Sequence, residues 1–468
     1  MKPLAAALHR LNQTKFFAPH FPFSPQRTLV FYGWVIWGIT TLGILMSIPG
    51  QTAGVSVFTD YLLAATGLSR LALSNAYLIG TLTSGLLLPF GGVFIDRFGA
   101  RLVVVIAAGW LALTLVYLSV SDRLAQGLSD LLALDASQPV AFIVLCLGFV
   151  SLRVSGQGML TMVSRTTLGK WFDRRRGMVS GLSGIFVSFG FSAAPLLLSF
   201  FIDRGGWRGA WLSLAILIGL GMAPLGWLLY RDNPEACGLV MDGLAPPLAP
   251  SEAAAATVSP PSDRTAPVPR QFSPTRDFTR REALRTLAFW AVTLALASQA
   301  LTMTGLTFHL VDIGAAAGLP QKQTVALFLP IGLLATMTGY LIGVVSDRVR
   351  LKVLFIAMMV FEAIGLIGMA HLDSLPLRLM AIAGLGITGG CFGTLSSVTM
   401  PRYFGRQQLG AIVGVEMMTL VIASAIGPSL LALFNDVFGS YRFGLYLCAA
   451  LPLSIIFLLV PSGNPQAP

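Results

Sequence analysis

Apolar residues are grouped along this chain into twelve runs, most of them about twenty residues long, separated by short polar turns. A helix of about 20 apolar residues crosses the roughly 30 Å hydrocarbon core of a bilayer. The runs cover residues 30–60, 72–95, 102–121, 139–163, 178–202, 209–230, 286–312, 323–345, 351–371, 378–400, 409–433 and 442–461. The pattern predicts an all-α membrane protein with twelve transmembrane helices and a kink at Pro49 in the long first run.

The second half of the chain repeats a pattern of the first half. Residues 92–97 (Gly-Val-Phe-Ile-Asp-Arg) return with the same spacing as residues 343–348 (Gly-Val-Val-Ser-Asp-Arg), 251 positions later. Further along, the offset falls to 233, so the first half has 18 extra residues, which we assign to segment 122–139. Such repeats predict two pseudo-symmetric six-helix bundles with a substrate site between them.

Hydrophilic segments divide the chain into five predicted parts. These are an N-terminal tail (1–28), an N-terminal bundle (29–231), a cytoplasmic linker (232–285), a C-terminal bundle (286–461) and a C-terminal tail (462–468). The middle of the linker, residues 245–262, is rich in Ala, Pro and Ser, so we expect it to be disordered. The short turns elsewhere leave no room for a soluble catalytic domain.

Composition and charge agree with a membrane protein. The chain is 55% apolar and 11% charged, with a mean hydropathy of +0.77, whereas soluble domains have about 25% charged residues. With both termini cytoplasmic, 23 of the 31 Lys and Arg residues face the cytoplasm. This asymmetry obeys the positive-inside rule and predicts a multi-pass protein of the cell (inner) membrane. The net charge of +11 therefore needs no nucleic acid partner.

The sequence lacks the residue patterns that several kinds of chemistry require. The four cysteines have no metal-binding or disulfide spacing, so we expect neither a metal nor a cofactor. No phosphate-binding loop or nucleophile elbow is present, which argues against ATP-driven pumping and against an enzyme. Transport energy should therefore come from an ion gradient or a substrate gradient.

The repeated turns carry the first candidate site, a conformational latch. A carboxylate can accept hydrogen bonds from the start of a neighbouring helix and favours its positive dipole end. We expect Asp96 to contact the start of span 11 and Asp347 the start of span 5, across the two halves. The predicted latch comprises Gly92, Asp96, Arg97, Arg101, Gly343, Asp347 and Arg348. The alternative is a plain charged turn.

These turns resemble a known family. Residues 92–101 are similar to the loop 2–3 motif of the major facilitator superfamily, although the second copy has no glycine matching Gly99. Residues 171–177, 231–239 and 282–286 resemble its monocarboxylate and oxalate–formate exchanger branch. The resemblance implies alternating access between the two bundles and a small organic anion as substrate. Relatives that move such anions commonly have a cationic residue in span 8, where this chain has no charge.

One basic residue, Arg153, lies midway along span 4, where an unpaired charge costs about 2.5–3.5 kcal/mol on insertion scales. Gln157, Thr161 and Ser164 follow on the same helical face, so this stripe is the best pointer to the pathway. We expect Arg153 to bind the substrate or to hold a coupling carboxylate, with Gln157 adding hydrogen bonds. The alternative is a structural contact between helices.

Polar residues also occur along span 7. Thr302 and His309 fall on one face, and imidazole is the side chain that ordinarily changes charge near neutral pH, so His309 could carry a coupling proton. We include Gln299, Thr302 and His309 among the substrate-binding candidates. The alternative for His309 is a lone imidazole that is hydrogen-bonded to a neighbour.

Two carboxylates lie inside spans of the second half. Glu416 is in span 11, which lines the cavity in this superfamily, and Glu362 is in the peripheral span 9. Either residue could balance Arg153 or bind a proton. We therefore favour Glu416 for coupling, together with His309.

The sequence thus predicts a secondary active transporter of a small solute that works by alternating access. A monocarboxylate-like organic anion is the leading substrate, with coupling to H⁺ or exchange, in a chain that functions as a monomer in the lipid bilayer. A neutral or amphipathic solute, imported or exported, is the alternative. A non-transporting membrane sensor on the same fold is the alternative of another class.

Overall fold

The computed structural model describes Arg10 and residues 14–132, 137–243 and 276–466, and within them every regular element is a helix. The residues for which disorder was predicted, 245–262, lie outside the described residues, as do the ends of both tails. Ten helices in the described part are long and apolar enough to cross a membrane. One of them, Arg176–Leu229, covers two predicted spans, and the shorter apolar helix Gly33–Met46 supplies another. The twelve-helix prediction is therefore confirmed.

We number the membrane helices α1 to α12. They are α1 Gly33–Met46, α2 Arg70–Phe98, α3 Ala100–Ser119, α4 Gln138–Trp171, α5 176–205, α6 207–229, α7 Leu287–Ala316, α8 Gln321–Ser346, α9 Leu351–Met369, α10 Leu375–Phe404, α11 Leu409–Phe438 and α12 Tyr441–Leu459. Helices α5 and α6 are separated at Gly206, where φ is 67°. Short helices occur at Lys15–Phe17, Pro25–Arg27, Ser121–Leu131, Glu235–Cys237, Met241–Gly243 and Arg280–Ala283.

The first span is interrupted at Pro49, as the sequence predicts. After α1 the chain continues as the 3₁₀ turn Ile48–Gly50 and the helices Thr52–Ser56 and Thr59–Thr66. Proline has no N–H group and cannot continue the helical ladder, so the regular helix ends before it. The break places the backbone of Gly50 against α4.

Helix α4 contains a π-helical segment, Arg153–Leu160, which the sequence analysis missed. The i→i+5 bonding of a π-helix rotates the residues that follow relative to those that precede. The expected polar stripe is therefore wrong beyond Gln157. Thr161 donates to Ser47 beside α1 at 3.2 Å, and Ser164 pairs with Tyr230 after α6 at 2.8 Å.

The halves α1–α6 and α7–α12 meet along two seams, where α2 packs on α11 and α5 packs on α8. Glycines allow the close approach. A Cβ atom on Gly92 would overlap the carbonyl oxygen of Gly410, and one on Gly343 would lie 2.6 Å from that of Gly177. Any side chain at these two positions would push the halves apart.

The extra segment of the first half contains the helix Ser121–Leu131. Asp122 at its start forms an ion pair with Arg208 of α6, so the helix is tied to the end of the N-terminal bundle. Residues 133–136 of the segment lie outside the described residues.

Candidate functional site

Asp96 contacts the start of α11 in the opposite half. Its Oδ1 accepts a hydrogen bond from the Gly410 amide at 2.9 Å, and its Oδ2 accepts one from the Ala411 amide at 2.7 Å. Helix starts have unpaired amides and a positive dipole end, which suit a carboxylate. The contact predicted from the sequence is therefore present between the two halves.

Asp347 makes the equivalent contact in the other direction. Its carboxylate accepts hydrogen bonds from the amides of Gly177 at 2.9 Å and Met178 at 3.1 Å, at the start of α5. Burial raises the pKa of Asp347 above its ordinary value, against the opposing effect of these hydrogen bonds and of Arg402. Both repeated turns thus bind a helix start of the opposite half.

Two basic residues that the sequence analysis did not select accompany these contacts. The Nζ of Lys170 lies 3.6 Å from Oδ1 of Asp96, and the Nη2 of Arg402 lies 3.6 Å from Oδ1 of Asp347. They come from the ends of α4 and α10, distant in the chain from either turn. The sequence signal that could have identified them is a basic residue at the end of the fourth span of each half.

The remaining basic residues predicted for the latch do not cross between the halves. Arg101 donates to the carbonyl oxygens of Trp227, Ala18 and Phe21, all in its own half. Arg97 and Arg348 are exposed at the surface. The structure therefore gives Arg101 a different position from the predicted one: it fastens the N-terminal segment to α6.

A cavity of about 470 Å³ lies between the halves, lined by α2, α4, α7, α11 and the interrupted end of the first span. It reaches from Arg70, whose side chain is 71% exposed, to Arg153. Arg70 and Asp96 stand at opposite ends of α2. The cavity is consequently open on one face. The halves contact each other on the opposite face, where Asp96 and Asp347 lie.

Arg153 is a buried cation at the inner end of this cavity. Its side chain is only 2% exposed, its Nη1 donates to the Gly50 carbonyl at 3.2 Å, and its Cζ lies 5.3 Å from the centre of the Tyr77 ring. Its Nε has no partner, and no carboxylate in the described part of the chain forms an ion pair with it. A buried charge without a counter-charge is costly, so the site favours an anion.

Hydroxyl groups line the cavity around Arg153. Tyr77 donates to Thr52 at 3.0 Å, and Thr304 pairs with Ser424 at 2.9 Å on the side of the second half. Aromatic side chains such as Phe308 complete the wall. The cavity therefore combines a cation, hydroxyl groups from both halves and an apolar surface.

The other predicted substrate-binding residues are not among those that line the cavity, so their roles stay predictions. Thr302 donates to Oε1 of Glu362 at 2.9 Å, because this face of α7 packs on α9. Gln299 is 7% exposed, and Gln157 is half-buried in the π-helical segment.

His309 lies behind the cavity wall. Its Nε2 is 2.9 Å from the carbonyl oxygen of Pro428, a lining residue, so Nε2 holds the proton of the neutral ring. The Tyr441 hydroxyl then donates to Nδ1 at 3.2 Å, and Asp312 lies 3.9 Å from the same nitrogen. Both ring nitrogens of His309 therefore have a hydrogen-bond partner.

The two buried glutamates have different surroundings. Glu416 is 1% exposed and neither of its oxygens has a hydrogen-bond partner, whereas Oε1 of Glu362 accepts from two hydroxyls of α7. Arg165 of α4 is the basic group that acts electrostatically on Glu416. Of the two roles considered for Glu416, the structure shows no ion pair with Arg153, and the binding of a proton stays a prediction. Arg165 lies outside predicted span 4 because the true helix continues to Trp171.

In the described ranges, no group of three or more His, Cys, Asp and Glu side chains could hold a metal ion. The four cysteines are unpaired thiols. The cavity itself offers a positive charge, hydroxyl groups and an apolar wall.

Comparison with known proteins identifies the family. The sequence pattern of the Major Facilitator Superfamily matches residues 39–374 and 332–468, nearly the whole chain. The chain is 24% identical over 395 residues to monocarboxylate transporter 1 of Mus musculus, with 80% of this chain and 73% of the relative covered. It is 26% identical over 391 residues to monocarboxylate transporter 11 of the same species, with 81% and 75% covered.

Solved structures share the fold. The human organic anion transporter TETRAN superposes with a TM-score of 0.58 at 16% identity, covering 91% of this chain and 99% of that one. The proton:xylose symporter XylE gives a TM-score of 0.60 at 17% identity, with 91% and 94% covered. Helix number, the interlocked turns and these matches lead to one conclusion: the chain belongs to the major facilitator superfamily of membrane transporters and is most similar to its monocarboxylate transporter branch.

Proposed function

We propose that the protein is a secondary active transporter of a small organic anion, and that the carboxylate of the substrate binds Arg153. One observation carries the proposal: a guanidinium that is 2% exposed, without a described counter-charge, stands at the end of an open cavity. An anion there would receive charge-assisted hydrogen bonds in a site of low polarity.

The names of similar proteins support this substrate class. Several relatives are monocarboxylate transporters, and one structure of the same fold is an organic anion transporter. Helix α8 of this chain has no acidic or basic residue between Thr324 and Ser346. Arg153 would then supply from α4 the positive charge that the anion needs.

Transport would proceed by alternating access. With both termini in the cytoplasm, as the distribution of basic residues indicates, the face with Asp96 and Asp347 is cytoplasmic and the cavity is open to the outside. Release of the two latch contacts would let the halves rock and expose Arg153 to the cytoplasm. The protein would work in this way as a monomer in the inner membrane.

Coupling to protons would use a titratable group close to the cavity. Glu416 is buried without hydrogen bonds, so neutralisation by a proton would remove the cost of burying its charge. His309, behind the cavity wall, is the second candidate. One proton that moves with about 100 mV gains about 2.3 kcal/mol, enough for roughly fifty-fold accumulation.

The test is uptake of radiolabelled monocarboxylates by proteoliposomes with and without an imposed pH gradient. We expect Arg153→Ala to raise KM about 10- to 150-fold, because hydrogen bonds to charged groups contribute about 1.5–3 kcal/mol. Arg153→Lys should restore part of the affinity. Arg70→Ala is the matched control: Arg70 lines the same cavity but is exposed, so KM should change less than threefold.

Unchanged uptake of organic anions by both Arg153 variants would dismiss the anion site. Uptake of uncharged solutes by the wild type, with no uptake of anions, would establish the alternative of a neutral or amphipathic substrate. If none of the solutes crosses the membrane, the result would favour the alternative of a non-transporting membrane sensor.

A further inference from the structure

Asp242, at the described beginning of the linker, binds the turn that leads into α5. Its Oδ2 accepts hydrogen bonds from the amides of Asp173 at 3.1 Å and Arg174 at 2.8 Å, and its Oδ1 accepts one from Arg175 at 3.3 Å. The carboxylate is thereby attached to three successive amides of one turn. This is the same helix start that receives Asp347 from the opposite half.

Asp277, at the described end of the linker, does the same at the start of α11. Its Oδ1 accepts hydrogen bonds from the amides of Arg406 and Gln407, the latter at 3.2 Å. The neighbouring Phe278 amide donates to the Phe404 carbonyl at 2.9 Å, which holds the segment in place. Asp96 binds this helix start three residues further on.

The two helix starts are therefore built alike. Each one binds a carboxylate from its own half at the turn and a latch carboxylate from the opposite half in the first helical turn. The own-half carboxylate bonds to amides 173–175 or 406–407, and the latch carboxylate bonds to amides 177–178 or 410–411. The own-half carboxylate and the latch carboxylate therefore bind different amides of the same helix start.

The backbone at Asp242 is strained to make this contact. Its φ of 58° is in the left-handed region, and it is the one residue other than glycine with positive φ in the described part of the chain. Such a conformation persists where surrounding contacts hold it, and it is concentrated at functional positions. Here the three amide hydrogen bonds stabilise this backbone conformation.

The capped turn of the second half also carries a bridge to the first half. Arg406, whose amide is bound by Asp277, donates from Nη1 to the Lys170 carbonyl at 3.0 Å and pairs through Nη2 with Glu235 at 3.0 Å. Lys170 in turn lies beside Asp96. Asp277 thus fixes a turn from which two connections between the halves extend.

We propose that Asp242 and Asp277 are positioning residues of the gate, which hold the starts of α5 and α11 in the orientation that accepts Asp347 and Asp96. The inference rests on the proposed alternating access. Each positioning residue belongs to the same half as the helix it caps, so it stays bound while the latch carboxylate comes and goes. A helix start that is already ordered loses less conformational entropy when the latch closes.

Thiol labelling of the cavity tests this inference without any substrate. In a background whose native cysteines are replaced, S424C places a thiol in the cavity wall, and a membrane-impermeant maleimide reports how often the cavity is open on that face. We expect D242N and D277N each to reduce the labelling rate at least threefold, because a weakened latch lowers the population of this conformation. D203N, which changes an exposed Asp in α5, is the matched control and should label like the parent.

Double variants separate positioning from a general structural effect. D277N should be coupled to D96N, since both act on the start of α11, and additive with D347N, which acts on α5. D242N should show the reverse pattern. Parental labelling rates, or additivity in every pair, would overturn the proposal, whether or not the wild type transports an anion.

If an asparagine variant does not fold, the glutamates D242E and D277E take its place. They keep the charge but displace the carboxylate by one methylene, and the same threefold loss with the same coupling pattern is expected. Labelling like that of the parent would contradict the inference here as well.

Discussion

At the residue scale, the buried charges of this chain differ in what surrounds them. Arg153 touches a carbonyl and an aromatic ring at the edge of a cavity, so an entering anion can neutralise it. Glu416 is equally buried, but neither of its oxygens has a hydrogen-bond partner.

This difference gives a prediction for Glu416→Gln. The variant cannot exchange a proton at this position, so uptake driven by a pH gradient should fall at least tenfold, while exchange of substrate across the membrane continues. Both rates are measured in the same proteoliposomes. Glu362→Gln is the matched control, since Glu362 is equally buried but hydrogen-bonded to Ser298 and Thr302. If only Glu362→Gln lost the uptake driven by a pH gradient, Glu362 rather than Glu416 would be the coupling residue.

At the element scale, two irregular helices shape the cavity around Arg153. The first span breaks at Pro49, and α4 widens into a π-helix at Arg153. These irregularities meet where Arg153 donates to the carbonyl of Gly50, a group left available by the break. Non-helical backbone within a membrane is tolerated where it is buried in protein or lines a cavity. The site thus depends on deviations from regular helices.

The seams between the halves give a prediction at the same scale. Gly92→Ala and Gly343→Ala would each force backbones apart, so uptake should fall at least tenfold and the melting temperature of the purified protein should decrease. Gly109→Ala in α3 is the control: no atom lies within 4 Å of the added carbon, and alanine favours the helix. Equal behaviour of all three variants would show that the close approach at the seams is unimportant for transport.

At the scale of the whole molecule, the halves contact each other on the face with Asp96 and Asp347, and the cavity is open on the opposite face. The basic neighbours of the two contacts, Lys170 and Arg402, lie on adjoining helix ends, since a Cβ atom on Gly169 would be 3.1 Å from Pro401. Under the alternating access that we propose, the two contacts would close one common gate. Opening of that gate would require both helix starts to release their carboxylates.

Removal of the latch charges should slow this cycle. We expect Asp96→Asn and Asp347→Asn each to reduce the rate of uptake about tenfold or more, with unchanged amounts of protein in the membrane, because charge-assisted hydrogen bonds contribute about 1.5–3 kcal/mol. Asp60→Asn is the control, as Asp60 is 79% exposed at the open face. A double variant that transports like the wild type would refute the latch.

Some of this architecture could be predicted from single residues. The repeat of Asp96 as Asp347 indicated two halves, and helix dipoles indicated which helix starts these residues bind. Arg165 and Lys170 were overlooked because the predicted span 4 ended at residue 163, before the charged last turns of α4. Thr302 was assigned to the cavity because a face of α7 was identified without knowing which neighbour it packs against.

The sequence by itself determined the number of spans and the twofold repeat, since hydropathy acts locally along the chain, and the charge of the loops predicts the orientation of the spans. Only the tertiary structure decided the surroundings of these side chains: Glu362 accepts from Thr302, both oxygens of Glu416 are left without a hydrogen bond, and Arg153 stands at an open cavity. Within a bilayer every helix is apolar, so periodicity does not reveal which face is turned to lipid, to a neighbouring helix or to substrate. A local π-helix then rotates those faces in a way that no sequence period shows.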